Sequence, residues 1–179
     1  MATVKRIAVL TSGGDSPGMN AAVRAVARSA ISKGMEAVGV MRGFEGLLDG
    51  DFRTLGARDV GGIIHRGGTI LQTARSNRFL EPQWQDRAAG NLLEAGVGAL
   101  AVIGGGGSFQ GAMELQKRGL AVAGIPGTID NDIAGTDLSI GFRTAVETAL
   151  DAVMRLRDTA SSHDRLFIVE VMGGRSGFL

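Results

Sequence analysis

Five short apolar runs, residues 7–10, 37–40, 100–103, 121–125 and 166–169, show little internal alternation of apolar and polar positions. Runs of that length without alternation are what strands covered on both faces require. Longer stretches between them carry a different period. Val23, Val26, Ala27, Ala30 and Ile31 follow the i, i+3, i+4, i+7, i+8 spacing of an amphipathic helix, and Phe142, Ala145, Val146, Ala149, Leu150 and Val153 repeat it. A further helix is expected over residues 110–117. Strands alternating with helices imply right-handed crossovers, so the expected class is α/β, an open, mainly parallel sheet with helices on both faces. The run 166–171 is expected to be buried in such a sheet. The sequence then stops at Phe178-Leu179 without a polar tail, so a C-terminal part is expected to be missing.

Composition changes this picture in one respect, the 29 glycines among 179 residues. They gather at 13–14, 61–62, 67–68, 104–107 and 173–174, with no repeat and no Gly/Ser linker, and so mark loops within one domain. Charge is nearly balanced, 19 basic against 18 acidic residues, which leaves no general attraction to nucleic acid or anionic membrane. With 4% aromatic residues and no tyrosine, stacking material for bases is scarce, and nucleic acid is not an expected partner. The absence of cysteine excludes disulfides, thiolate metal sites and cysteine nucleophiles. Neither a signal peptide nor a membrane span is expected from the first residues, and the chain reads as cytoplasmic.

Three loops after apolar runs are candidates for chemistry, because polar groups beyond the carboxyl ends of parallel strands face a crevice. Residues 11–20, Thr-Ser-Gly-Gly-Asp-Ser-Pro-Gly-Met-Asn, join the first strand to the first helix, with Ser16 the expected N-cap and Pro17 the expected first helical residue. Gly104-Gly105-Gly106-Gly107-Ser108 opens the helix after the third long run, where free amides and the Ser108 hydroxyl suit phosphate oxygens. Neither GxGxxG nor GxxxxGK[ST] is present, so any phosphate site uses a different glycine loop. Pro126-Gly127-Thr128-Ile129-Asp130-Asn131-Asp132 follows the fourth run and supplies two carboxylates and a hydroxyl. Phosphoryl transfer to an alcohol needs a carboxylate to accept the hydroxyl proton, and Asp130 is assigned that part. Arg24 and Arg28 lie four apart on the first helix, where like charges repel unless solvent or an anion intervenes. His65 and His163 have no partner set for a metal or a triad.

The heptapeptide PGTIDND, with GGDSPGMN at residues 13–20, resembles the ATP-dependent 6-phosphofructokinase family of bacterial type, in its N-terminal part. The resemblance implies a Rossmann-like phosphofructokinase fold, with residues 1–140 as a nucleotide-binding α/β domain and 141–179 as the beginning of the sugar-phosphate-binding part. It implies a glycolytic kinase that moves the γ-phosphoryl of ATP to the 1-hydroxyl of fructose 6-phosphate, giving fructose 1,6-bisphosphate, with magnesium assisting. Gly14, Arg75, Ser76, Gly105, Gly106, Gly107 and Ser108 would meet the nucleotide. Asp130, Arg75 and Thr128 would be catalytic, and Thr128, Ile129, Asp130, Arg165, Met172, Gly173 and Gly174 would meet the sugar phosphate. Arg165 in the family reaches a neighbouring subunit's substrate, which implies a homo-oligomer, by family a tetramer. Arg24, Arg28 and Arg157 match arginines that bind a nucleoside diphosphate or phosphoenolpyruvate effector.

Two positions depart from the family pattern. Gly106 stands where the family has a metal-binding aspartate, so no metal ligand is assigned, although Asp132 lies nearby. Gly174 stands where the family has a second arginine, and Arg175 is displaced by one residue. A catalytically impaired fragment or a nucleotide-binding pseudoenzyme of the same family is the alternative reading. A pyrophosphate-dependent enzyme is the third, disfavoured because pyrophosphate users carry aspartate at the position of Gly107 and lysine at that of Gly127.

Overall fold

In the computed structural model, which describes residues 4–179, the strands are β1 (Arg6–Thr11), β2 (Glu36–Val40), β3 (Phe52–Thr54), β4 (Ala99–Gly104), β5 (Ala121–Thr128) and β6 (Ile140–Gly141). The helices are α1 (Met19–Ser32), α2 (Gly43–Asp49), α3 (Pro82–Glu94), α4 (Gly106–Lys117) and α5 (Phe142–His163), and a 3-10 turn spans Arg78–Leu80. The sheet order is β3-β2-β1-β4-β5-β6. All pairings are parallel except β2 with β3. Val9 of β1 stands opposite Gly39 on one side and Ala101 on the other.

The alternation of side chains along each strand divides the core in two. Ala8, Leu10, Val38, Val40, Leu100 and Val102 pack with side chains of α2, α3 and α4 on one face. Val9, Ala37, Ala101 and Ile103 pack with Met19, Val23, Ala27 and Ala30 of α1 on the other. Each fully buried valine, leucine, isoleucine or methionine among them contributes about 1.5–3 kcal/mol relative to exposure, and each alanine less. The expected α/β class and open sheet are present, and both faces are covered over β1, β2 and β4.

Four details differ from the sequence expectation. Helix α1 begins at Met19, after Gly18 in a left-handed conformation, and not at Pro17. Ser16 does not cap it, because the Ser16 hydroxyl donates to the carbonyl of Ile140 at 3.2 Å. Helix α4 begins four residues before the expected Gln110, so Gly106 and Gly107 are its first two residues. The run 166–169 is neither a strand nor buried, with Leu166 90% and Ile168 91% exposed. A strand is made by a neighbour's amides and carbonyls as much as by its own apolar side chains, and no strand pairs with it among the described residues. The outer side of α5 is likewise uncovered, with Leu150, Val153 and Met154 exposed and no residue of the helix fully buried.

Candidate active site

The carboxyl ends of β1, β4 and β5 open on a cleft of about 1080 Å³. Its floor is built by close backbone approach. A methyl placed on Gly104 would lie 2.5 Å from Ser108 Oγ and 2.6 Å from the Ser12 carbonyl oxygen, so only glycine lets β4 turn into α4 there. The Ser12 amide donates to the Ile103 carbonyl at 3.0 Å, joining the β1 loop to the end of β4. Helix α4 then points its N-terminus into the cleft with Gly105 as an N-cap that supplies no side-chain bond. The first amides of a helix have no intrahelical acceptor, and the helix dipole adds partial positive charge at that end.

The Thr128–Asp132 loop forms one wall, and local bonds hold its shape. Asp130 donates its amide to Thr128 Oγ1 at 3.2 Å. Asn131 adopts a left-handed conformation, φ 51°. Its Oδ1 accepts the Ser139 amide at 2.9 Å, and Ser139 Oγ donates to the Thr128 carbonyl at 2.7 Å. The backbone on both sides of Asp130 is thereby fixed. Thr128 also lies against the α4 entrance, since a methyl on Gly105 would stand 3.6 Å from Thr128 Cβ.

The opposite wall is the segment carrying Arg75. Thr73 Oγ1 donates to the Gly13 carbonyl at 2.7 Å, and Thr11 Oγ1 donates to the Gln72 carbonyl at 2.9 Å. Asn20 of α1 donates to the Arg66 and Gly67 carbonyls and accepts the Ile70 amide at 2.7 Å. These bonds tie residues 66–73 to the first glycine loop. Beyond Arg75, Arg78 pairs with Glu45 and, at 3.0 Å, with Asp49, both on α2. Arg78, with a smaller contribution from the Ser76 hydroxyl, holds the Glu45 carboxyl below the ordinary range against the opposing effect of burial. Asp49 is lowered chiefly by the same arginine.

The cleft brings together most of the expected residues. Gly14, Arg75, Ser76, Gly105, Gly106, Gly107, Ser108, Thr128, Ile129, Asp130, Asp132, Met172, Gly173 and Gly174 all line it. Gly174 comes close to the carboxylate, since a methyl there would lie 3.6 Å from Asp130 Oδ2. Arg165, Arg24, Arg28 and Arg157 lie outside the lining. Arg24 donates to the Val60 carbonyl at 2.5 Å, Arg28 is exposed, and Arg157 faces Asp158 at 3.6 Å. Sequence reasoning passed over Glu45, Arg78 and the Phe44–Phe79 pair, whose ring centroids are 4.3 Å apart at the cleft wall. The signal for α2 was Gly43 and Gly46 flanking Phe44-Glu45, since a methyl on Gly46 would lie 1.7 Å from the Met41 carbonyl oxygen.

Charge in the cleft is one-sided. Asp15, Glu114, Asp130 and Asp132 line it, with Arg75 the single basic lining residue among those described. Yet no three His, Cys, Asp or Glu side chains among the described residues gather as a metal site. The residues present therefore do not make up the magnesium site that the family resemblance implies. Gly106 offers no ligand, and the carboxylates do not converge.

Taken together, a mainly parallel sheet whose strand ends gather a helix N-terminus, an acidic loop and an arginine around one cleft defines an α/β domain with its candidate site at the carboxyl ends of the strands. The phosphofructokinase family model matches residues 6–179, and the chain belongs to that family. It is 55% identical over 177 residues to ATP-dependent 6-phosphofructokinase 1 of Thermus thermophilus, covering 98% of this chain and 55% of the relative. It is 57% identical over 174 residues to the ATP-dependent 6-phosphofructokinase of Streptococcus pyogenes serotype M5, covering 97% of this chain and 52% of the relative. Among solved structures, phosphofructokinase from Saccharomyces cerevisiae matches with a TM-score of 0.91 and 42% identity, covering 95% of this chain and 26% of that one. The chain thus spans about half the length of the curated relatives it matches.

Proposed function

We propose that this chain is the nucleotide-side part of an ATP-dependent 6-phosphofructokinase, a cytoplasmic kinase that phosphorylates the 1-hydroxyl of fructose 6-phosphate. The observation that carries the reading is the convergence of Asp130, Thr128, Arg75 and the α4 N-terminus on one cleft. In this reading Asp130 accepts the proton of the attacking hydroxyl as its oxygen bonds to the γ-phosphorus and the bond from that phosphorus to the β,γ-bridging oxygen breaks, with ADP leaving. Thr128 orients that hydroxyl. The amides of Gly106, Gly107 and Ser108 hold phosphate oxygens, and Arg75 faces the charge that develops on the transferring group. Magnesium is expected to arrive with the nucleotide, as part of the substrate.

Two local fits support ATP over pyrophosphate as donor. A methyl on Gly107 would meet nothing within 4 Å, which leaves room for a nucleotide beyond its phosphates. A methyl on Gly127 would lie 3.0 Å from Ile103 Cγ2, so this buried position resists a lysine. Residues 141–179 are assigned to the start of the sugar-phosphate part. The uncovered sides of α5 and residues 166–171 are the surfaces that the rest of a full-length relative would cover. Arg165 is assigned to a neighbouring subunit's substrate in a homotetramer, and Arg24, Arg28 and Arg157 to an anionic effector between subunits.

A second reading, a nucleotide-binding chain without turnover, is favoured by Gly106 and Gly174. Preorganised groups aimed at a transition state are each worth about 2.7–4 kcal/mol, so the absence of two lowers turnover by several decades. Assaying the purified chain for ATP-dependent formation of fructose 1,6-bisphosphate separates the readings. Product formation supports the kinase, ATP binding without product supports the silent relative, and absence of ATP binding sinks both. Turnover with pyrophosphate but not ATP overturns the donor assignment.

A further inference from the structure

Arg75 is the single basic side chain lining the cleft among the described residues, yet none of the ion pairs holds it. Its direction must be set by the segment that carries it. On the Gly13 side that segment is fixed through Thr73. On the other side the contacts pass through α2. Arg78 Nε donates to Glu45 Oε2 at 3.0 Å and its terminal nitrogen contacts the same oxygen. That nitrogen also donates to Asp49 Oδ1 at 3.0 Å. Between Arg75 and Arg78, Ser76 Oγ accepts the Phe79 amide at 3.1 Å. Phe79 is buried against Phe44, and its carbonyl accepts Gln85 Nε2 at 2.9 Å. Arg78 also stacks over Trp84, with its guanidinium carbon 5.3 Å from the ring centroid.

We propose that Glu45 is a positioning residue for Arg75, its carboxylate anchoring through Arg78 the 75–79 segment that aims the guanidinium into the cleft. Glu45 lies in α2, outside the strand-end loops that carry the candidate chemistry, and it is not itself among the residues lining the cleft. The proposal rests on the nucleotide reading of the cleft for its functional half, while its structural half stands on the contacts alone.

The test uses the whole chain and the variants Glu45→Gln, Arg75→Gln and their double. Hydrogen exchange at the Phe79 amide reads the anchor. Glu45→Gln is expected to speed it about tenfold or more, the scale of one charge-assisted hydrogen bond lost, with β1 and β4 unchanged. Equilibrium ATP binding reads the consequence. Glu45→Gln is expected to weaken it about tenfold when Arg75 is present and not at all in the Arg75→Gln background, since residues acting through one another are non-additive. Unchanged exchange overturns the proposal, as does an additive double variant, which would leave Glu45 a merely structural residue. If the unaltered chain does not bind ATP, the nucleotide reading fails, and the exchange result alone decides the anchor. Should Glu45→Gln fail to fold, Arg78→Lys, which keeps the charge and loses the two-pronged contact, is read in the same way.

Discussion

Gly106→Asp is expected to be accepted by the fold and to change how the cleft deals with a cation. A methyl at this position would meet only Ile133 Cδ1, at 3.9 Å, an ordinary contact. Gly106 is not among the positive-φ glycines, so an L-residue brings no left-handed strain. It is the first residue of α4, whose first turn contains no acidic side chain. A carboxylate there gains about 0.3–1 kcal/mol from the helix dipole. Replacing glycine at a compatible position adds roughly 0.4–1 kcal/mol by narrowing the unfolded ensemble. Repulsion from the acidic side chains already lining the cleft works against these gains. The balance is a stability unchanged or raised by up to about 1 kcal/mol, a melting shift of at most about 2–4 °C. Thermal unfolding in magnesium-free buffer checks the first half. ATP titrations with EDTA and with magnesium check the second, where magnesium is expected to improve affinity about tenfold more for the variant, or about 1.4 kcal/mol. A variant destabilised by more than 1 kcal/mol refutes the packing argument, as judged by the same thermal scale. A magnesium dependence equal to that of the unaltered chain refutes the cation argument.

Gly174→Arg should behave in the opposite way, because Gly174 sits at φ 59°, where an L-residue costs roughly 1–2 kcal/mol; denaturant unfolding with no loss of midpoint would contradict this. If the chain turns over, Asp130→Asn should lower kcat by about 10²–10⁴ with ATP affinity retained, and equal losses in both would remove Asp130 from the proton step. Glu45 and Asp49 both titrate below the ordinary carboxylate range because of Arg78. Their stabilisation is therefore fully present above about pH 5, where folded and unfolded chains are both ionised, and is lost as pH falls through their depressed folded values. Acid unfolding should accordingly be steeper for the unaltered chain than for a Glu45→Gln, Asp49→Asn variant, and identical slopes would show that the pairing is not made in solution.

Elements whose signal lies within their own residues were legible in the sequence. β1, β2 and β4 carry continuous apolar runs because both faces of the sheet are covered there, while the equally apolar run of β5 is exposed or half-buried, and α1 shows its stripe because one side lies on Val9 and Ile103. What escaped was structure made by partners. β3 is three residues long and exists through its antiparallel register with Val38 and Val40. Ser16 carries the residue type of a helix cap, but the arrival of Ile140 124 residues later takes its hydroxyl. The 166–169 run has the composition of a strand and, among the described residues, no neighbouring strand to make it one. In the site, PGTIDND and the glycine loops announced themselves by composition. Glu45 and Arg78 did not, since a charged pair 33 residues apart leaves no periodic trace.

The charge balance of the cleft bears on how the proposed nucleotide would bind. A helix N-terminus presents about half an elementary charge, and Arg75 adds one more, against four carboxylates on the lining. A bare triphosphate would enter a field of its own sign. In the proposed reading the cation that offsets it would travel with the phosphates, since Gly106 supplies no carboxylate to keep one in the protein. In the proposed nucleotide reading, phosphate recognition would depend on amide geometry and on the aim of a single guanidinium, which would give the contacts behind Arg75 more leverage than they would have in a cleft lined by several arginines. The same reasoning makes Gly106→Asp informative: a fifth carboxylate should weaken the binding of metal-free ATP while strengthening that of its magnesium complex, a divergence that packing changes alone would not produce.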